Sequence, residues 1–209
     1  MLVRKNILAL FLTGALFATS AVGSAKPAGE HAASGVLVSE TIHMADGEVA
    51  LKQSVIVDAD LEQTWALFTE ASQVKRWIAP VAEVDLRTGG TIRTHYDSCA
   101  SIGDPGTIEL TIVNYIPQHL LTLQSNLESA RDAAWMNDSI YSRRDDLYNV
   151  IEFEPLDGGR TRIVSWGLGY GDGPEWQTMF DFFVKGNEWT YGQLKKAVAG
   201  EEVWPDCSD

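Results

Sequence analysis

Arg93 and His95, two residues apart, are the pair in this chain best suited to proton chemistry. An imidazole exchanges a proton near neutral pH, and a guanidinium beside it can polarise a carbonyl and hold developing negative charge. Residues 90–96 alternate, with Ile92 and Tyr96 on one face of a strand and Arg93 and His95 on the other. Alternation does not say which face is concave, and a solvent-facing pair is the plainer reading of the same pattern. The rest of the reactive inventory is thin. His31, His43 and His119, like the acidic pairs Asp145-Asp146 and Glu201-Glu202, read as solvated. No HExxH, Gly-x-Ser-x-Gly or Cys-His triad order is present, nor a Gly-Lys-Ser/Thr phosphate loop after a strand. Two cysteines without a His-rich neighbour are too sparse for a zinc site. No catalytic residue is assigned beyond the two candidates, and neither cofactor nor metal is expected.

Aromatic residues carry the second kind of signal. Trp65, Trp77, Tyr96, Trp135, Trp166, Trp176, Phe180 and Phe183 could wall an apolar small-molecule pocket. Several must be ordinary core, because cores and pockets draw on the same residue types.

The elements that must position these groups follow from periodicity and caps. A β-run over residues 52–57 leads to Asp60, three residues before Gln63, the spacing of a reciprocal helix cap, so a helix starts near Leu61. Leu61, Trp65 and Phe68 recur on one helical face. Ser72 can cap a second, shorter helix ending near Trp77, and Ala79-Pro80 stops it. Strands follow at 81–86 and 90–96 around Gly89-Gly90, then at 106–115 and 119–124 around Pro117-Gln118. Residues 127–146 are irregular; a short helix over 127–135 is expected, and a connection of this length can serve as a lid. Strands at 147–154 and 160–168 join through Asp157-Gly158, whose backbone freedom suits a tight turn. Gly167, Gly169, Gly171 and Gly173 are expected to break the last strand. Pro174 opens a final helix with a stripe through Trp176, Phe180, Phe183, Tyr191, Leu194 and Val198, where Gly186 and Gly192 would mark a bend or a close approach.

This order, together with Thr64-Trp65-Ala66-Leu67-Phe68, Arg76-Trp77, residues 84–90, Asp157-Gly158-Gly159, Thr161-Arg162, Phe182-Phe183, Gly186-Asn187, Trp189 and Leu194-Lys195, resembles the SRPBCC or START-like superfamily. The similar branch is that of activators of the ninety-kilodalton heat-shock protein's ATPase, with polyketide cyclase-like relatives. The resemblance covers roughly residues 48–198 and implies an α+β helix-grip fold, a curved antiparallel sheet wrapped around a long C-terminal helix with a cavity between them. It implies a domain over 48–200 that binds a hydrophobic small molecule, lipid or aromatic and polyketide-like. Two alternatives come with it. One is a cyclase or aromatase-like enzyme, in which the strand of Arg93 and His95 leads toward the cavity; the other is a co-chaperone-like interaction module.

The start of the chain sets the expected compartment. Arg4 and Lys5 precede an uncharged, mainly apolar run over 7–22 and the small residues Gly23-Ser24-Ala25, the pattern of a cleaved signal peptide spanning 1–25. The run is short for a membrane span, so no stable insertion is expected after cleavage. Removing Arg4 and Lys5 takes the formal charge from −13 to about −15, which repels nucleic acid and anionic headgroups. Residues 26–47 read as a flexible leader and 201–209 as a C-terminal tail. A periplasmic or secreted location is expected, where Cys99 and Cys207 can pair as a disulfide that staples the tail to the sheet. Oligomeric state is not readable from these features.

Overall fold

The computed structural model describes residues 35–207. The expected signal segment, residues 26–34 of the leader and the last two residues of the tail lie outside them. Eight strands form one curved, unclosed antiparallel sheet in the order β1-β2-β8-β7-β6-β5-β4-β3. The strands are β1 Val38–His43, β2 Glu48–Val57, β3 Val81–Val84, β4 Thr91–His95, β5 Ile108–Ile116, β6 Leu120–Ser125, β7 Tyr148–Leu156 and β8 Arg160–Gly171. The chain leaves β2, crosses to the far edge through α1 (Leu61–Thr69) and α2 (Ala71–Val74), and then meanders back strand by strand until β8 pairs with β2. The long helix α4 (Gln177–Val198) follows, and the architecture is the α+β helix-grip arrangement.

Local chemistry explains most boundaries. Asp60 caps α1 by accepting from the Gln63 amide at 2.8 Å, and the Gln63 side chain returns to the Asp60 amide at 3.4 Å. Ser72 does not cap α2, which already starts at Ala71. Glu70 is extended, serving both as the C-cap of α1 and as the N-cap of α2, so the second helix begins one residue after it. The three residues joining β7 to β8 include Gly158 and Gly159, both at positive φ.

Three further expectations change. The leader expected over 26–47 contains β1, which forms a hairpin with β2 in the register Val38↔Ser54 to His43↔Val49. All six of its residues are exposed, so no apolar period marked it. The last strand does not break at its glycines but runs to Gly171. Gly169, at φ +90°, lies where the β2 register shifts between Leu51↔Gly167 and Val49↔Tyr170, and a Cβ there would sit 2.1 Å from the Asp146 carbonyl. Residues 127–135 contain only a 3-10 turn, Glu128–Ala130. The helix of this connection is α3 (Asp138–Ser142), whose cap Asn137 accepts from the Ile140 amide at 3.0 Å and donates to the Glu175 carbonyl at 2.9 Å. Leu127, Trp135 and Ile140 are buried with Tyr170, Trp176 and Met179, so the segment is part of the core rather than a detached lid.

The buried side chains form two clusters. One gathers Val55, Phe68, Trp77, Leu121, Ile151, Phe153 and Ile163 under the C-terminal half of α4, through Tyr191, Leu194 and Ala197. The other gathers the 127–147 segment, Val49, Leu51 and Tyr170 under its N-terminal half.

Candidate functional site

Between α4 and the sheet lies a cavity of about 120 Å³. Its apolar wall comes from Phe68 on α1, Trp77 after α2, and Ile92, Leu121, Leu123 and Ile151, which are the inward positions of β4, β6 and β7. Phe68 and Trp77 meet edge to face at 4.8 Å between centroids, and the indole N–H donates to the Leu67 carbonyl at 2.7 Å, which fixes the ring against α1. Trp77 in turn stacks on Tyr191 of α4 at 6.4 Å.

The polar part of the lining is concentrated in Thr94, Asn149, Ser165, Asn187, Thr190 and Tyr191. Most of these groups have partners. Asn187 donates to the buried Gln53 side-chain carbonyl at 2.8 Å, and Gln53 donates to Ser39 Oγ at 3.1 Å. Thr190 donates to the Gly186 carbonyl at 2.9 Å. Burial pushes the Tyr191 phenol up to about 12, and its hydrogen bond with Ser165 draws it partly back. Asn149 is the exception: its side-chain carbonyl oxygen is buried with no hydrogen-bond partner.

Arg93 and His95 do not reach this cavity. Their neighbours Ile92 and Thr94 line it, so the β4 pleat sends the candidate pair to the opposite face. Arg93 pairs with Glu83 of β3 at 2.5 Å in a partly exposed bridge. His95 is buried beneath residues 97–107, where its Nδ1 accepts from the Asp97 amide at 3.0 Å and its Nε2 lies 3.1 Å from the Pro105 carbonyl. That pattern assigns the ring proton to Nε2. Both nitrogens serve the backbone of one loop, and the polarising pair expected from the sequence is a salt bridge and a loop anchor.

Of the eight aromatic candidates, Trp77 alone lines the cavity. Trp65 packs on Tyr115 and Phe153, at 6.3 and 5.4 Å. Trp135, Trp176, Phe180 and Phe183 belong to the cluster under the other half of α4, where Trp135 and Phe183 lie 5.7 Å apart and Tyr170 and Phe180 5.4 Å apart. Trp166 follows the inward Ser165 and so points to the outer face, beneath the Lys52 ammonium at 5.4 Å. Tyr96 is 47% exposed and forms a triangle with Trp189 and Trp204, with centroids 5.7 to 6.3 Å apart. Trp204 is held there by the tail, which the Cys99–Cys207 disulfide, with Cα atoms 4.9 Å apart, fastens to the loop after β4.

The polar lining does not stand out among the ring-bearing residues of the sequence. A signal existed: Asn149 and Ser165 occupy the inward parity of their strands, in step with Ile151 and Ile163, where a polar residue needs a reason.

A larger open groove of about 450 Å³ runs along the tail beside Lys75, Arg76 and Pro80, but charged side chains and tail residues line it. The smaller cavity beneath α4, with its largely apolar lining, is the better small-molecule site. At about 120 Å³ it is below the roughly 300–1,000 Å³ that drug-sized ligands occupy, so it does not hold the whole of a long lipid or multi-ring polyketide as it stands. Among the described residues no three His, Cys, Asp or Glu side chains converge as a metal site, and no helix is long and apolar enough to cross a membrane.

No curated protein sequence matches the chain. Solved structures with the same fold include a conserved protein of unknown function, EF2215, from Enterococcus faecalis (14% identity, TM-score 0.56, 82% of each chain covered). CalU16 from Micromonospora echinospora is similar at 14% identity and TM-score 0.52, over 81% of this chain and 86% of that one. The Aha1 dimer from Colwellia psychrerythraea is similar at 14% identity and TM-score 0.53, over 71% of this chain and 95% of that one. The family described as Activator of Hsp90 ATPase homolog 1-like protein matches residues 58–199, from the end of β2 to the end of α4, and the chain belongs to that family.

Proposed function

We propose that this protein is an exported binder of a small hydrophobic molecule, held between the sheet and α4. The observation that carries the reading is the cavity between sheet and helix, partly open to solvent, walled by apolar side chains from both layers yet not filled by them. Close-packed interiors rarely leave such a space, because lining atoms lose their dispersion contacts. A guest restores those contacts. The disulfide supports the export part, since such bonds persist in oxidising compartments, and the residues 1–25 carry the pattern of a cleaved signal. In that compartment the protein would be separated from a cytosolic chaperone, which favours the small-molecule reading over the partner implied by the family's name.

Mature protein incubated with a cell extract and examined by native mass spectrometry is expected to retain a small mass that dissociates on denaturation. Reproducibly empty protein would remove the binding reading. Fractionation with N-terminal sequencing is expected to find a chain beginning near Lys26 outside the cytosol, and an intact cytosolic chain would remove the export reading.

A further inference from the structure

The described cavity asks for more than apolar contact. Its polar groups are linked in a chain of hydrogen bonds: Asn187 donates to Gln53, Gln53 to Ser39, Thr190 to its own helix, and Ser165 to the Tyr191 oxygen. Asn149 stands outside this chain. It sits on β7 between Leu123 of β6 and Gly167 of β8, on the inward side with Ile151, and its carbonyl oxygen is buried and unpaired. A buried amide oxygen without a donor forfeits the bond that water gave it in the unfolded chain, so native structures seldom leave one without a purpose.

A single water is a poor occupant. The cavity holds about four times a water's share of liquid volume, roughly 30 Å³, and most of its lining is hydrocarbon. An ion fares worse, because Tyr191 is the only lining side chain that can titrate, and burial holds it neutral. The guest that matches this volume and lining is a neutral molecule of about one ring, apolar over most of its surface, with one hydrogen-bond donor.

Resting on the binding reading above, we infer that Asn149 is the specificity-determining acceptor of the cavity and selects a neutral, ring-sized guest bearing a hydroxyl or N–H donor. The ring lies against Phe68, Trp77 and Ile151, and the donor points to Asn149.

The test compares two probes of nearly equal size, phenol and fluorobenzene, titrated separately into the full mature protein and followed by amide and indole chemical shifts. Burying a hydroxyl without a partner is unfavourable, so a cavity lacking an acceptor prefers fluorobenzene. With Asn149 as partner the order reverses, and phenol is expected to bind about three- to tenfold more tightly. In Asn149→Leu the preference should return to fluorobenzene; Asn149→Val serves the same purpose if the leucine variant does not fold. Fluorobenzene binding as tightly as phenol to the native protein overturns the inference while leaving the binding reading standing, and so does an unchanged preference in the variant. Failure of both probes to shift the resonances of Trp77 and Tyr191 overturns both.

Discussion

The two halves of α4 are held against the same sheet by different means. Under the N-terminal half, Trp135, Tyr170, Trp176, Phe180 and Phe183 interlock with Met179 and the 127–147 segment, and rings fill the space. Under the C-terminal half, Asn187, Thr190 and Tyr191 face a cavity. There the helix is secured at its far end instead, by Leu194 and Ala197 in the core and by Arg76 donating to the Ala197 carbonyl. The disulfide-bound tail adds a further hold, folding Trp204 onto Trp189 and Tyr96. Both halves carry rings, since Phe68, Trp77 and Tyr191 wall the cavity; what differs is that α4 itself supplies Phe180 and Phe183 to the solid half and Asn187 and Thr190 to the hollow one.

Removing the disulfide should break the comparison most. It closes a loop of 108 residues, for which the chain-entropy relation gives about 4–5 kcal/mol. Cys99→Ser with Cys207→Ser is expected to lower the unfolding free energy by that order, read as a lower denaturant midpoint, and to red-shift tryptophan fluorescence as Trp204 leaves Trp189. If the tail were held by its rings alone, the variant would keep both its midpoint and its emission.

A pair of tryptophans gives the next largest contrast. Trp176 is 4% exposed in the solid half, where Arg143 lies over its ring at 5.4 Å, whereas Trp189 is 48% exposed. Trp176→Ala is expected to destabilise by about 3–5 kcal/mol and Trp189→Ala by less than about 1 kcal/mol, measured by urea unfolding. Equal losses would mean that the halves do not differ in packing.

Sequence patterning reached the sheet's meander, the α1 cap and the final helix because each is a local device repeated in residue types: alternation, a cap three residues before its reciprocal acceptor, a stripe at helical spacing. β1 escaped because an edge strand exposed on both faces has no apolar period to display. The site was less legible. Trp166 and Trp77 look alike in sequence, but one pleat sends the first to the outer face and one helix packing brings the second to the cavity. Arg93 and His95 share a face as read, and only the placement of α4 on the other side decides what that face means.

Two buried tyrosines extend the contrast to pH. Burial raises both phenols; Tyr191, in the cavity half, reaches about 12, while Tyr170, with no hydrogen bond to offset burial, is raised further. Each stays protonated in the folded chain while the unfolded phenol ionises near 10, so their contribution is fully present below pH 10 and is lost above it, that of Tyr191 as pH rises through 12 and that of Tyr170 higher still. Between those values Tyr191 alone removes about 1.4 kcal/mol of stability per pH unit. Absorbance at 295 nm is expected to show Tyr170 and Tyr191 withheld from ionisation until the protein unfolds. In Tyr191→Phe the alkaline loss should be shallower; six phenols titrating together near 10 would contradict the burial of both sites.

The smallest effects come from two glycines and carry opposite signs. A Cβ at Gly171 would lie 2.4 Å from the Trp176 indole nitrogen, against a ring already fixed by its neighbours, so Gly171→Ala should cost about 1–3 kcal/mol. Gly186 sits mid-helix, and a Cβ there meets nothing within 4 Å, so the close approach expected from the sequence is not what keeps it. Gly186→Ala restricts the unfolded chain without a clash and is expected to stabilise by about 0.5–1 kcal/mol in thermal or urea unfolding. A loss at Gly186 equal to that at Gly171 would show that the middle of α4 is as tightly packed as the solid half.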